Sequence, residues 1–269
     1  MPELPEVESV ARTVRSLVRG KTILRCDVIH AIATKPQGPA LLRRKAEGQR
    51  VEQVERRGKY LIFRLCAGCL VLHFKLDGQL VWFPNRNVAG HVDIALHFED
   101  GALGFVDRRH FGRVLFHRRA EDVPGIAGMG VEPLSREFTP TVLAARLRKS
   151  RRPLKLFLLD QTRIAGLGNI YSSEALWRAG LSPRRRAHRV THAESQRLHK
   201  EIVGVLRRAL ECCLHPAPDF RNPEWWFQGL EKILRVYGRE GKSCRRCGGR
   251  VRRIDQGGRS TFWCPGCQH

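Results

Sequence analysis

The chain has 269 residues, 42% of them hydrophobic, enough to bury a real core as one large domain or two modest ones. Its 49 Lys and Arg against 26 Asp and Glu give a formal charge of +23, which implies a polyanionic partner, most simply nucleic acid. No apolar run approaches the roughly 20 residues that span a bilayer, and the acidic start is unlike a signal peptide, so the expected compartment is the reducing cytoplasm.

The opening MPELPEVESV sets the first element. Val7, Val10, Ala11, Val14, Leu17 and Val18 recur at helical spacing and stop near Gly20. Proline suits a first helical turn, and Glu3, Glu6 and Glu8 complement the positive end of the helix dipole. On these residues alone, helix chemistry is the simpler account. A chemical account exists beside it: once Met1 is removed, Pro2 carries a secondary α-amine. A terminal amine has a pKa of about 8, so part of it is neutral and nucleophilic near pH 7.

Short alternating runs follow: TILRCDVI, VEQVERRGKYLIFRL, CLVLHFKLDGQLVWF, HVDIALHFED and ALGFVDRRHFGRVLFH. They predict β-strands. Asp77-Gly78 and Asp100-Gly101 are hairpin signals, and their succession predicts antiparallel meanders folded into a sandwich or barrel. GIAGMGVEPLSREF then reads as a linker. Beyond it TPTVLAARLRKS, PLKLFLLDQ, NIYSSEALWRAG and THAESQRLHKEIVGVLRRALECCL have helical spacing, and the proline-rich HPAPDFRNPEWWF is a long irregular stretch. The expected organisation is α+β: a β-domain over 1–125, a helical domain over 126–233 and a metal finger over 234–269.

That finger is the strongest local signal. Cys244-x2-Cys247 and Cys264-x2-Cys267, sixteen residues apart, can place four thiolates around one zinc, and a filled thiolate sphere makes the ion structural. From Lys232 to His269 there are ten Lys and Arg against two acids, a charge suited to phosphate. Cys66-x2-Cys69 reads instead as a pair bracketing a turn, and Cys26, Cys212 and Cys213 as packing residues. In LFLLDQTRIAGLGNIYSSEALWRAGLSP, Gly166 and Gly168 precede Asn169 at the start of a helix. Such a turn can aim backbone N–H groups and the Asn side chain at an anion, although a plain helical corner gives the same pattern.

MPELPEVE, RRGKYL around Lys59, DRRHFG at 107–112, GLGNIY and the closing cysteines occur in this order from end to end. Together they resemble the bacterial formamidopyrimidine-DNA glycosylase family. The resemblance implies a helix-flanked β-sandwich followed by a helical domain with a helix–two-turn–helix motif and one structural Zn2+, with damaged double-stranded DNA in the cleft between the domains. It implies that Pro2 attacks C1′ of a damaged nucleotide, expels the base and forms a Schiff base. Glu3 is then the neighbouring acid and base, and Glu6 supports the site. Lys59 reaches phosphate and assists elimination; Asn169 and Arg259 clamp phosphate, Arg259 with a part in δ-elimination. His91 and Lys155 match DNA-contacting positions. Arg109 and Phe111, with Leu76 in the third wedge position, fill the gap left by the extruded nucleotide.

The chain departs from the family pattern at three places. HFKLDG stands where an HLGMSG-like stretch is common, Arg108 replaces the proline of DPRRFG, and APDFRNPEWW occupies the region of a TTLRDF-like loop. Trp225 and Trp226 offer broad stacking surface there, which predicts a weaker preference for 8-oxoguanine over formamidopyrimidines. The expected function is a bifunctional glycosylase and AP lyase acting as a monomer on oxidised purines opposite cytosine, cytoplasmic and associated with the nucleoid. The alternatives are a paralogue preferring oxidised pyrimidines or other lesions, and a zinc-ribbon DNA-binding protein without catalysis. A mere binder has no need of Pro2 beside Glu3.

Overall fold

The apolar stripe of the first segment forms helix α1 (Leu4–Val18) in the computed structural model, whose described residues are 2–214 and 229–269. Val7, Val10, Ala11, Val14 and Val18 are all buried, as their spacing requires. They pack against one of two four-stranded antiparallel sheets, the one that carries Val54 and Leu61. One has the order β1 (Arg25–Val28), β6 (Ile94–Phe98), β7 (Gly101–Val106), β5 (Gln79–Phe83); the other runs β2 (Val51–Arg57), β3 (Tyr60–Leu65), β4 (Gly68–His73), β8 (Arg113–His117). Leu80, Ile94, Leu96, Leu103 and Phe105 of the first sheet share a core with Phe63, Leu70, Leu72 and Val114 of the second. The β-domain is therefore a sandwich. A short helix that the strand pattern does not announce, α2 (Pro39–Ala46), covers one edge region with Leu42 and Ala46 inward, and α3 (Pro124–Ala127) ends this unit.

The Asp100 signal forms a hairpin as expected, with Phe98 paired to Gly101. Asp77-Gly78 does not. It lies between β4 and β5, which belong to different sheets. Phe74, just past β4, is buried in the shared core, and the Gly78 N–H donates to its carbonyl at 3.0 Å, closing a turn that lifts the chain from one layer to the other. The 107–112 segment makes the second such crossing, from β7 to β8. Residues 75–77 and 107–112 are both layer-switching connections, free of the pairing that fixes a hairpin.

The chain divides into a unit built on Met1–Gly128 and another comprising Met129–Cys212 and Gly229–His269. The second contains α4 (Pro140–Arg148), α5 (Leu154–Leu159), α6 (Asn169–Ala179), α7 (His192–Leu214), α8 (Leu230–Ile233) and the hairpin β9 (Arg252–Gln256) and β10 (Arg259–Trp263). The cysteine finger is packed into this helical unit rather than standing as a domain of its own. Trp177 of α6 shares a small core with Val236, Cys244, Val251 and Cys264, and Gln268 bridges the Cys264 N–H to the Leu181 carbonyl. Among the described residues no helix is long and apolar enough to cross a membrane.

Candidate functional site

Pro2 is buried and immediately precedes the N-cap of α1. Glu3 and Glu6 form a capping box: the Glu3 N–H donates to Glu6 Oε2 at 2.8 Å, and both carboxylates are at most 1% exposed. The helix start thus fixes two buried acids immediately after Pro2 in the chain. One turn on, Glu8 accepts from Arg56 Nε at 2.9 Å, and Arg56 Nη1 donates to the Gly58 carbonyl at 3.0 Å. Burial alone raises the Glu8 carboxyl, but the guanidiniums of Arg56 and Arg12 overcome it and hold the group below its ordinary value. This brace ties α1 to the β2–β3 hairpin. Arg57 pairs with Tyr60, so Gly58-Lys59 is a two-residue loop, with glycine supplying the positive φ (57°) at its first central position. Lys59 itself is only 7% exposed.

Beside that hairpin lies His73, paired in register with Tyr60 and in edge contact with its ring. Burial, reinforced by the Lys75 and Lys59 ammoniums, pushes its imidazole down to about 3. The Lys75 N–H donates to His73 Nδ1 at 2.9 Å, so the neutral ring carries its proton on Nε2. The folded value lies below the ordinary 6.5, so the unfolded chain takes the proton first as pH falls. His73 therefore contributes fully above about pH 6.5, and that contribution is lost as pH falls toward about 3. Urea unfolding across this window should give a shallower pH dependence for His73→Gln, by up to about 1.4 kcal/mol per pH unit. Equal slopes in the two proteins would remove His73 from the account.

The three expected wedge residues emerge from the two layer-switching loops. Leu76 and Phe111 are 37% and 46% exposed, unusual for large apolar side chains, and Arg109 stacks over the Phe111 ring at 5.1 Å. Arg109 Nη1 also pairs with Asp77 at 3.2 Å, drawing the loops together. Asp107 shapes the second loop: its carboxylate accepts the N–H of Arg109 (3.1 Å) and Gly112 (2.5 Å), while its own N–H donates to Asp93 Oδ2. A Cβ at Gly112 would come within 2.5 Å of the Phe105 ring, so the loop closes only on glycine. His91 is exposed nearby in the chain, its ring stacked on His30.

In the second unit Asn169 opens α6, and its Nδ2 donates to the Ser260 carbonyl at 2.8 Å, next to Arg259. The exposed Arg259 starts β10 on the basic hairpin. The two expected phosphate contacts are therefore neighbours, and a helix N-terminus lies beside them. Lys155 differs from expectation. It is fully buried, and its Nζ donates to the Asn169 carbonyl (2.8 Å) and Ser173 Oγ (2.5 Å), so these bonds position the first turn of α6 from within. The four cysteines converge: one sulfur from each lies within 4.8 Å of the others, with Sγ separations of 3.8 Å for Cys244–Cys267 and 3.5 Å for Cys247–Cys264. A tetrahedral site with Zn–S near 2.3 Å needs sulfurs about 3.8 Å apart, so the set fits Zn2+. The other thiols stand apart; burial and the Glu47 carboxylate push Cys26 up to about 12, leaving it a packing residue.

Sequence reasoning missed Asp93, Asp107 and Glu174. Glu174 is completely buried on α6 and accepts the N–H groups of Arg235, Val236 and Tyr237 at 2.8–2.9 Å, anchoring the chain as it enters the finger. A carboxylate inside an apolar helix pattern was the available signal. Glu174→Ala should strand these donors and cost at least about 2 kcal/mol, read as a lower urea midpoint and easier loss of zinc to a chelator. Wild-type zinc retention and midpoint would contradict this. Trp225 and Trp226, with the rest of 215–228, lie outside the described residues.

Three family models match in order: the formamidopyrimidine-DNA glycosylase N-terminal domain over residues 1–114, the formamidopyrimidine-DNA glycosylase H2TH domain over 129–214, and the zinc finger found in FPG and IleRS over 241–269. The formamidopyrimidine-DNA glycosylase of Bacillus licheniformis is 38% identical, with 100% of this chain and 99% of the relative covered. The Lactococcus lactis Fpg complexed with DNA containing an abasic site superposes with a TM-score of 0.89 at 31% identity, covering 99% of each chain. A complex of the same enzyme with DNA containing an oxidised pyrimidine gives 0.89 at 30% identity, covering both chains completely.

Proposed function

Because the chain belongs to the formamidopyrimidine-DNA glycosylase family, we propose that it excises 8-oxoguanine and formamidopyrimidines opposite cytosine and then cleaves the strand, with Pro2 as its nucleophile. It is a base-excision-repair DNA glycosylase with a structural Zn2+ at its four cysteines. The Pro2 amine attacks C1′ as the bond to the damaged base breaks. Glu3 protonates the ring oxygen as the sugar opens, and the resulting iminium is the Schiff base from which elimination proceeds. Glu6 holds Glu3 through the cap, and Lys59 meets phosphate near the lesion. Asn169 and Arg259 hold phosphate, Arg259 also serving the second elimination, with His91 a further phosphate contact. Leu76, Arg109 and Phe111 fill the gap in the duplex. The enzyme works as a cytoplasmic monomer on nucleoid DNA.

The observation that best supports this reading is the capped start of α1, where the buried carboxylates of Glu3 and Glu6 belong to the turn that directly follows Pro2. A second reading, preference for oxidised pyrimidines, draws on the relative solved with such DNA and on Arg108 in place of the family proline. Duplexes carrying 8-oxoguanine, a formamidopyrimidine or an oxidised pyrimidine, assayed for base release and nicking in single turnover, decide between them. Faster release of the purine lesions is expected. Fastest release of the pyrimidine would establish the second reading, and nicking of none would refute both.

A further inference from the structure

A second convergence of metal-ligating side chains lies in the first unit, formed by His30, Asp93 and His110. The three come from separate segments: His30 from the stretch after β1, Asp93 from just before β6, and His110 from the 107–112 loop. Backbone bonds hold two of them in register, since the N–H groups of Ile29 and His30 donate to the Asp93 carbonyl at 2.9 and 3.1 Å. The Asp93 carboxylate is completely buried, with Oδ1 2.8 Å from His110 Nδ1. One ligand atom from each residue lies within 4.8 Å of the other two. A third imidazole closes the cluster: the His91 ring centroid is 5.0 Å from that of His30 and 5.4 Å from that of His110. Its Nε2 stands 3.9 Å from Asp93 Oδ2.

Three imidazoles around one buried carboxylate exceed what the loop requires. Its hydrogen bonding uses Asp93 for the Asp107 N–H and for the His110 ring, and those two bonds already fix its course. We propose that His30, Asp93 and His110 bind a divalent first-row transition ion of the Zn2+ class, with a fourth position open on the side of His91. Imidazole nitrogen with one carboxylate oxygen suits Zn2+ and its neighbours rather than Mg2+ or Ca2+, which take oxygen donors. Each carboxylate oxygen has a second lone pair, so Asp93 can ligate the ion without releasing the Asp107 N–H. His110 lies between Arg109 and Phe111, so an ion here would tie their loop to β6 and to the segment after β1. The site is distinct from the four cysteines in donor chemistry and in the unit that carries it.

The test is a Co2+ titration of the full chain with its cysteine site already filled by zinc. One further Co2+ per chain is expected, with visible d–d absorption and no thiolate charge-transfer band. His30→Ala and His110→Asn should each weaken its uptake by at least about tenfold, with cysteine-bound zinc retained. Asparagine is the choice at 110 because the backbone there has φ 55°. Three results would overturn the proposal: no further cobalt bound at millimolar concentration, cobalt entering only with a thiolate band and released zinc, or uptake unchanged in both variants.

Discussion

Borohydride is expected to trap a covalent adduct between the Met1-processed chain and a duplex containing an abasic site, with the DNA attached at Pro2. The expectation follows from the nature of the amine. A secondary amine condensing with the opened sugar gives an iminium, which hydride reduces to a stable tertiary amine, whereas a side-chain lysine would give a lysine-linked product. Digestion of the adduct and identification of the amino-terminal peptide therefore distinguish the two. Acetylating the Pro2 nitrogen, or retaining Met1, should abolish trapping, and Pro2→Gly should greatly weaken it. Glu3→Gln separates chemistry from folding, because the amide oxygen can still accept the cap bond while the group can no longer give or take a proton. Base release by that variant should fall by about 10²–10⁴-fold with its thermal midpoint little changed. Undiminished trapping by a chain with a blocked amine would move the nucleophile elsewhere.

The sequence is most legible where one physical rule acts alone. The stripe of α1 is a simple periodicity, and each of its expected valines is buried. The cysteine spacing reports a tetrahedral site whose sulfurs do converge. The errors lie where tertiary packing overrides a local signal. Asp77-Gly78 is a good hairpin dipeptide, yet the burial of Phe74 sends the chain to the opposite sheet. Lys155 matches a DNA-contacting position by resemblance, but its Nζ is taken up by Asn169 at the start of α6 and by Ser173 one turn on, a proximity that spacing cannot reveal. Asp93 and Asp107 are invisible for a related reason. Their work is to hold backbone N–H groups in a loop, and that role becomes readable only when the loop's course is known. Exposure of Leu76 and Phe111 does not follow from strand alternation, which turns apolar residues inward; it is expected only because the resemblance places both in the wedge.

One cysteine-bound zinc per chain is expected, and its removal should have an effect far larger than the loss of a surface contact. Cys264 is fully buried at the centre of the finger's small core, so Cys264→Ser removes both a ligand and a packing group. Binding of structural zinc by such fingers is coupled to folding with an apparent free energy of about 10–16 kcal/mol, so the β9–β10 hairpin should not persist without the ion. Two consequences follow for DNA. Arg259 loses its strand, and Asn169 loses the Ser260 carbonyl that orients its side chain at the start of α6. Affinity for a duplex should therefore collapse in Cys264→Ser and in chelator-treated wild type alike. The salt dependence tells whether the finger contacts phosphate or only stabilises its unit. Each phosphate contact adds about 0.9 to the slope of log K against log salt on duplex DNA. Arg259→Ala leaves the cysteines untouched, so it should retain zinc while lowering that slope by about one. A zinc-replete Arg259→Ala protein with the full wild-type slope would confine the finger to a structural role, and fully active protein with no bound metal would overturn the zinc assignment itself.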